Sequence, residues 1–192
     1  PATVEEMLAQ PFYADETKTV NDLIGEATAA IGEKISLRRF VRFEAANGMV
    51  DTYIHMGGRI GVMVELAGEV TDEVKGMSHD LVMHIAAANP ADVDELMNQK
   101  FVDDESKTIT DLVSDATVSI GEKISIRRFA RYEADNGAVE TYIHMGGKIG
   151  VLLQVANDNA ASLTADEFKT FYHDVALQIA AARPSYVRPE EV

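Results

Sequence analysis

The sequence predicts an α+β fold of two tandem similar modules, each a three-stranded antiparallel meander packed with helices. One observation is a repeat: residues 10–66 recur as 99–155, at a constant offset of 89 and with about 35 of 57 positions identical. The other is the pattern inside each copy, where a helical period is followed by three alternating apolar runs. A unit of about 90 residues can bury its own core. The repeat therefore favours two domains, 1–90 and 91–192, over a solenoid.

The first element of each copy is an amphipathic helix. Between residues 17 and 31, apolar residues recur at helical spacing. Either Thr17 or Thr19 can cap the start of this helix, and Gly32 marks its end. The same pattern predicts a helix over 108–120 in the second copy.

Three strands follow, predicted over 35–45, 50–55 and 60–66. Apolar residues alternate along the first strand until Arg39 and Phe40, where the break indicates either a β-bulge or partial cover of the second face. Asn47-Gly48 and Gly57-Gly58 tolerate positive φ, so they predict tight turns that join consecutive strands. Each module would close with a helix, over 71–88 and near 164–182, and an apolar pattern from Val93 to Met97 predicts one further helical turn.

Composition excludes several classes of function. The chain has 192 residues, a net charge of −15 and no cysteine. Disulfides and thiolate chemistry are therefore impossible, and phosphate backbones and anionic membranes are unlikely partners on electrostatic grounds. No apolar run reaches the roughly 20 residues needed to cross a bilayer. The acidity indicates either simple solubility or a basic protein partner, and a cytoplasmic location is expected.

The five histidines are the first candidates for chemistry. His55 and His144 occupy equivalent positions before the glycine turns, and His84 corresponds to Gln178 in the other copy. A metal site needs ligands clustered at helical or turn spacing, and the sequence contains no such set. We therefore expect structural histidines, with a ligand or general base as the alternative.

The Met-Gly-Gly segments at 56–58 and 145–147 superficially resemble phosphate-binding loops. A phosphate loop leads from a strand into the N-terminus of a helix, whereas these glycines join two strands. The turn interpretation is therefore favoured.

Concentrated positive charge occurs only at Arg38-Arg39 and Arg127-Arg128. These arginines form either a solvated face paired with nearby carboxylates or part of a partner surface. No serine or threonine has a nucleophile-elbow context, and no carboxylate pair stands out. The sequence thus predicts no catalytic residue, no metal and no cofactor, and it does not indicate an enzyme.

The repeated segments 31–44 and 53–66, together with 83–90, resemble the core of translation elongation factor Ts. The resemblance covers nearly the whole chain, once per half. It implies two related subdomains, each with a three-stranded antiparallel sheet and helices. It also implies a guanine-nucleotide exchange factor that binds the GTPase elongation factor Tu and promotes GDP release during translation elongation. The nucleotide would belong to the partner.

One motif departs from the family. The first subdomain of these factors carries Thr-Asp-Phe-Val, which inserts into the GTPase near its Mg²⁺ site. Here the nearest segment is Thr71-Asp72-Glu73-Val74, with glutamate in place of the aromatic residue. Both halves resemble the subdomain that grips a distal domain of the partner, so a binding-only or scaffolding relative is the alternative function. No three-helix N-terminal domain is recognisable, and the chain resembles a piece of a longer factor.

Under the resemblance, partner contacts fall on the hairpin tips, the arginines and the altered motif. The predicted contact residues are His55, Met56, Gly57, Gly58, Arg59, His144, Met145, Gly146, Gly147, Lys148, Arg38, Arg127, Asp72 and Glu73.

Overall fold

A computed structural model describes residues 1, 3–157 and 166–181. The first half contains α1 (Val4–Leu8), β1 (Pro11–Phe12), β2 (Asp15–Thr19), α2 (Val20–Ile31), β3 (Ile35–Glu44), β4 (Gly48–His55), β5 (Ile60–Ala67) and α3 (Asp72–Ala88). The second contains α4 (Val93–Asn98), β6 (Lys100–Phe101), β7 (Asp104–Thr108), α5 (Ile109–Ile120), β8 (Ser125–Glu133), β9 (Ala138–His144), β10 (Ile149–Asn157) and α6 (Asp166–Ala181). The α+β class is confirmed.

The two large sheets are three-stranded and antiparallel, as predicted, but they are not meanders of consecutive strands. One sheet has the order β3-β10-β9 and the other β4-β5-β8. The first strand of each half therefore does not pair with the hairpin that follows it in sequence. It pairs with the third strand of the other half. The predicted connection of three consecutive strands is wrong, and each sheet takes strands from both sides of residue 90.

The Asn47-Gly48 signal misled the prediction because it does not close a hairpin between β3 and β4. Gly48 pairs with Ala67 on β5. Its φ is 131°, and a Cβ at this position would lie 1.9 Å from the carbonyl oxygen of Leu66. Glycine is needed here for close backbone approach while the chain crosses from one sheet to the other.

The strand exchange follows a pseudo-two-fold symmetry. Ile60 pairs with Glu133 between β5 and β8, and Ile149 pairs with Glu44 between β10 and β3. An offset of 89 residues converts one pair into the other. Such an isologous arrangement inside one chain uses the same surface of each copy twice.

The sheets pack face to face, with helices on both outer sides. One core cluster lies between β4-β5-β8 and helices α3, α4 and α5, and a second lies between β3-β10-β9 and helices α1, α2 and α6. A third cluster fills the space between the sheets and includes Phe43, Val50, Met63, Val139 and Leu152. Because both faces of each sheet are covered, the alternation predicted for half-exposed strands breaks down in β5, where the residues from Ile60 to Leu66 are all buried.

Gly61 and Gly150 set the distance between the two sheets. A Cβ on Gly61 would lie 2.3 Å from Val139 Cγ1, and one on Gly150 would lie 2.3 Å from Val50 Cγ1. Neither position has room for a side chain, so glycine here allows the sheets to approach closely.

The helix caps agree with the predictions. Thr19, not Thr17, is the N-cap of α2, and it forms a capping box with Asp22. Thr108 and Asp111 repeat this box on α5, and both helices end at left-handed glycines, Gly32 and Gly121. The helical turn predicted near Val93 is α4.

Candidate functional site

The tips of the two long hairpins have the same conformation. Met56 and Met145 adopt φ of 51° and 52°, and Gly57 and Gly146 both adopt 64°. The methionine side chains are 63% and 69% exposed. A methionine in the left-handed region is uncommon, and its side chain is held away from any core. Each hairpin therefore presents a flexible apolar side chain to solvent.

The second glycine of each tip has an internal role. Gly58 and Gly147 are buried. The backbone N–H of Val50 donates to the carbonyl oxygen of Gly147 at 2.7 Å, and a Cβ on Gly147 would lie 3.3 Å from the carbonyl oxygen of Val50. The surface of each tip thus consists of His-Met-Gly and the following Arg59 or Lys148.

These cations also hold the two halves together. Lys148 Nζ donates to the carbonyl oxygen of Gly48 at 3.2 Å. Arg59 lies 3.9 Å from carboxylates of both Glu133 and Asp135 while its side chain remains 50% exposed. The tip of one hairpin therefore rests on the base of the other.

The two tips lie at opposite ends of the sandwich. Gly58 contacts Val139 at the start of β9, and His144 ends the same strand. A seven-residue strand spans about 20 Å. The predicted tip residues thus form two separate surfaces with the same chemistry.

A tyrosine orients the histidine at each tip. The hydroxyl of Tyr53 lies 3.0 Å from His55 Nδ1, and that of Tyr142 lies 3.1 Å from His144 Nδ1. Each tyrosine ring also meets a second histidine edge-on, His79 or His173. Within the described residues no group of three or more histidine, aspartate or glutamate side chains is arranged to hold a metal ion. The geometry is that of an ordered surface, with aromatic and imidazole rings fixed beside an exposed methionine.

His84 has a structural role, as expected. It is buried, it accepts a hydrogen bond at Nδ1 from the backbone N–H of Val102 (3.3 Å), and it contacts Gln99 Oε1 through Nε2 (2.9 Å). Since Nδ1 accepts, the proton lies on Nε2 and is donated to Gln99. Gln178 has the same structural role at the equivalent position, where its Oε1 accepts a hydrogen bond from the backbone N–H of Tyr13 at 2.7 Å.

Arg38 and Arg127 occupy β-bulges. Gln154 faces Arg39 and Val155 faces Leu37, so Arg38 has no partner residue across the ladder. The register shift around Arg127 is the same. A bulge turns a side chain away from its regular direction. Both arginines are exposed. The predicted bulge is confirmed, and so is the cover of the second face, because residues of β3 pack in the clusters on both sides of the sheet.

The neighbouring arginines are used inside the molecule. The guanidinium carbon of Arg39 lies 4.0 Å from the ring centroid of Tyr132, and that of Arg128 lies 4.2 Å from the ring centroid of Phe43. These cation–π contacts cross from one sheet to the other. Arg38 and Arg127 have no such ring contact among the described residues, whereas Arg39 and Arg128 stack on a ring of the facing sheet while staying partly accessible to solvent.

The third arginine on each of these strands supports a helix end, a role that was not predicted from the sequence. Arg42 Nε donates to the carbonyl oxygen of Ala180 (3.4 Å), and Arg131 Nε and its terminal nitrogen donate to that of Ala86 (3.3 Å). Cations at the C-terminus of a helix compensate its exposed carbonyls. The detectable signal is the repeat itself, since an arginine stands three positions after each Arg-Arg pair.

The bulge environments differ in charge. Glu65 is buried beside Arg127 and Arg128, with Nε–Oε distances of 3.6 and 2.7 Å. The equivalent residue in the other half is Gln154, which accepts from Arg39 at 2.7 Å. Because Gln154 is neutral, Arg38 lacks the charge partner that Glu65 gives Arg127.

Asp72 and Glu73 lie in the first turn of α3, which Thr71 caps. A hydrogen bond from Lys75 lowers the pKa of Asp72. Glu73 accepts from the hydroxyl of Ser119 on α5 at 2.9 Å. Four residues separate Asp72 from the end of β5 at Ala67, so this pair lies at the end of the sheet opposite the Met56 tip. The structure therefore brings the altered motif together with α5 and not with the first tip.

None of the helices in the described part of the chain is both long and apolar enough to cross a membrane.

The chain is similar to known proteins over its whole length. The family model described as Elongation factor TS matches twice, over residues 1–96 and 91–192. Elongation factor Ts of Trichlorobacter lovleyi is 40% identical over 153 residues, covering 77% of this chain and 49% of that protein.

Two further relatives extend the comparison. The Clostridium perfringens factor is 35% identical over 199 aligned positions, covering 76% of this chain and 65% of its own length. The Halothermothrix orenii factor is 50% identical over 88 residues, or 46% of this chain and 29% of that protein. This chain thus spans less than two thirds of each of these relatives. With both halves matched by the family model, the chain belongs to the elongation factor Ts family of translation elongation factors.

Proposed function

We propose that this chain is a guanine-nucleotide exchange factor that binds elongation factor Tu and promotes its release of GDP. The observation that carries the proposal is the double match to the elongation factor Ts family. The chain itself would hold no nucleotide, metal or nucleic acid and would act in the cytoplasm without catalysing a covalent reaction.

The proposed contact surface consists of the exposed tip residues and the bulge arginines. Met56 and Met145 supply apolar area on flexible stems, which suits a protein interface. His55 and His144 lie beside them. Because Gly58 and Gly147 are buried, we propose that they shape the tips and do not touch the partner.

Two tips about 20 Å apart allow the chain to hold its partner at two points. A two-point grip on a GTPase with more than one domain can favour one arrangement of those domains over another. Exchange then follows from thermodynamic linkage. If this chain binds the nucleotide-free partner more tightly than the GDP-bound one, the affinity of the partner for GDP falls by the same factor.

The direct experiment measures release of fluorescently labelled GDP from elongation factor Tu after mixing with this chain and excess unlabelled GDP. We expect the release rate to rise with chain concentration and then saturate. The double variant Met56→Ala/Met145→Ala should raise the half-saturating concentration of the chain by about tenfold, as expected for loss of exposed anchors. A matched control is Val118→Ala, which removes an 82% exposed apolar side chain that lies outside both tips.

A second experiment tests the bulge arginines. Arg38→Ala with Arg127→Ala should weaken binding if both bulges face the partner. Unchanged affinity would favour the solvated face for these two side chains while leaving the tip contacts in place.

A binding-only relative is the second candidate function, and the state of Glu73 favours it. The carboxylate of Glu73 accepts a hydrogen bond from Ser119. A glutamate also lacks the aromatic ring that could insert into a partner. Under this alternative the chain binds elongation factor Tu but leaves the GDP release rate unchanged. Glu73→Phe distinguishes the candidates further: increased exchange would mean that this turn reaches the nucleotide site, and an unchanged rate would mean that it does not.

A further inference from the structure

A groove of about 430 Å³ runs between α2 and α6 on the outer helix layer, and its described lining includes no residue of either hairpin tip. Its apolar part consists of side chains from both helices, namely Leu23, Ala27, Ala30 and Phe171. Its lining spans eight or nine residues of each helix, which corresponds to about 12 Å or two helical turns. No strand contributes to the described lining, so an incoming segment would meet two helices.

Carboxylates surround this apolar floor. Four of the nine lining residues are acidic, and none is basic: Glu26, Asp166, Glu167 and Asp174. Lys18 pairs with Glu26 at 2.7 Å, and Lys169 approaches Asp166 at 4.0 Å, but neither lysine lines the groove. Burial raises the pKa of Asp174, with the nearby His173 acting in the opposite direction. Asp174 is thus the one rim carboxylate partly removed from water, whereas Glu26, Asp166 and Glu167 are exposed.

The helix layer on the other sheet contains the matching pair, α3 and α5, with a different connection. Ser119 on α5 donates to Glu73 at the start of α3, which ties these two helices together. The equivalent of Ser119 on α2 is Ala30, which has no donor for Glu167. The α2–α6 pair thus lacks this bridge at the position where Ala30 and Glu167 line the groove.

We propose that this groove binds a short amphipathic helix of a partner protein, with one apolar stripe flanked by lysine or arginine residues. Two packed helices present ridges and grooves into which a third helix fits with an axis separation of about 8–10 Å. The apolar floor would accept the stripe, and the acidic rim would select basic flanks and exclude acidic helices. This interaction is separate from the proposed contact with elongation factor Tu, since it uses neither tip nor bulge.

The test uses a synthetic probe of known composition. One fluorescently labelled 14-residue peptide places leucine at positions 1, 4, 8 and 11 with lysine beside the stripe and alanine elsewhere. A second peptide has the same composition with the leucines scrambled, so it has the same charge but no stripe. Fluorescence anisotropy at physiological salt should give a micromolar dissociation constant for the first peptide and binding at least about tenfold weaker for the second.

Pseudo-symmetry supplies a control for non-specific attraction to an acidic protein. The double variant Glu26→Lys/Asp174→Lys reverses two charges on the rim. The double variant Asp115→Lys/Asp80→Lys makes the same change at the equivalent positions of α5 and α3. Glu26 and Asp115 are closely matched, because each is paired with a lysine eight residues earlier in the chain. We expect the first variant to weaken binding about tenfold or more and the second to change it less than about twofold.

Ala30→Phe keeps the test decisive if charge reversal disturbs folding. Ala30 is exposed on α2, so the variant should fold, with circular dichroism as the check, and its ring should fill the groove and abolish peptide binding. Equal losses in the two charge-reversed variants, equal binding of the two peptides, or no binding of the striped peptide would each overturn the proposal.

Discussion

The two halves of the chain share one backbone plan but differ in several of the polar contacts made on it. The contacts required by strand exchange are the same in both halves: the backbone N–H of Ala45 donates to the carbonyl oxygen of Lys148, and that of Ala134 donates to Arg59. Other equivalent positions have diverged, as Glu65 and Gln154, His84 and Gln178, and Ser119 and Ala30.

This comparison separates two kinds of constraint. Backbone contacts and glycines at which the two sheets meet are the same in both halves, because each copy lies in the interface of the other. Polar side chains have changed charge or hydrogen-bonding groups on the outer helices and, at Glu65 and Gln154, beside the bulges. Differences in partner binding between the halves are therefore expected on the outer helices and at the bulges, and similarities are expected at the tips.

The largest expected effect tests the shared constraint. Gly61→Val and Gly150→Val should each lower the free energy of unfolding by about 2–3 kcal/mol, because each side chain would overlap a buried valine of the facing sheet. Urea unfolding measures both. Gly25→Ala is the control, since no atom lies within 4 Å of its Cβ position on a helix, and it should be neutral or stabilising by up to about 1 kcal/mol. A large effect at only one of the two inter-sheet glycines would contradict the symmetric interface.

The second prediction concerns the charge difference at the bulges. Glu65→Gln should lower the free energy of unfolding by about 1–2 kcal/mol, because Arg127 and Arg128 lose a buried charge partner while a hydrogen bond to Arg128 can remain. Gln154→Glu should change it by less than about 1 kcal/mol, since that position is only half-buried. Comparable losses in both variants would mean that the two bulge environments are electrostatically alike.

The third prediction exchanges the buried polar groups. His84→Gln and Gln178→His should each cost less than about 1 kcal/mol, because the two side chains make equivalent bonds to the equivalent loops. His84→Leu should cost about 1–3 kcal/mol, since the N–H of Val102 and the side chain of Gln99 lose their partner. Thermal unfolding of the three variants provides the ranking. If His84→Gln were as damaging as His84→Leu, the equivalence would be wrong.

The smallest expected effect is pH-dependent. Burial raises the pKa of Glu140, and His173, at 3.7 Å, only partly opposes this. A carboxyl whose folded pKa exceeds its unfolded value makes the folded state hold the proton more tightly, so stability falls as pH rises through the window above 4.5. Glu140→Gln should make the free energy of unfolding less dependent on pH in that window. An unchanged dependence would mean that Glu140 is not its source.

The sequence predicted local structure well because local structure has local causes. The Thr19 cap, the Gly32 end of α2 and the bulge near Arg39 were each visible in a few residues. Strand pairing was not visible, because β3 could pair equally well with its own hairpin or with the equivalent hairpin of the other copy. Near-identical repeats make these alternatives indistinguishable by pattern, and the choice depends on how the two sheets pack.

In the candidate site, too, the local features could be predicted from the sequence and the contacts between distant segments could not. Exposed tips followed from the Met-Gly-Gly repeats, and the family followed from the motifs around them. Contacts between distant segments determine the burial of Gly58 and Gly147, the stacking of Arg39 and Arg128 on rings of the facing sheet, and the bond between Glu73 and Ser119. No pattern within one copy could reveal them.

The central functional claim is that this chain prefers the nucleotide-free form of elongation factor Tu. The most direct measurement is the dissociation constant of this chain, by calorimetry, for the nucleotide-free partner and for the GDP-bound partner. An exchange factor should bind the nucleotide-free form at least about tenfold more tightly, as reciprocal coupling requires. Equal affinity for the two forms would contradict exchange and leave the binding-only function.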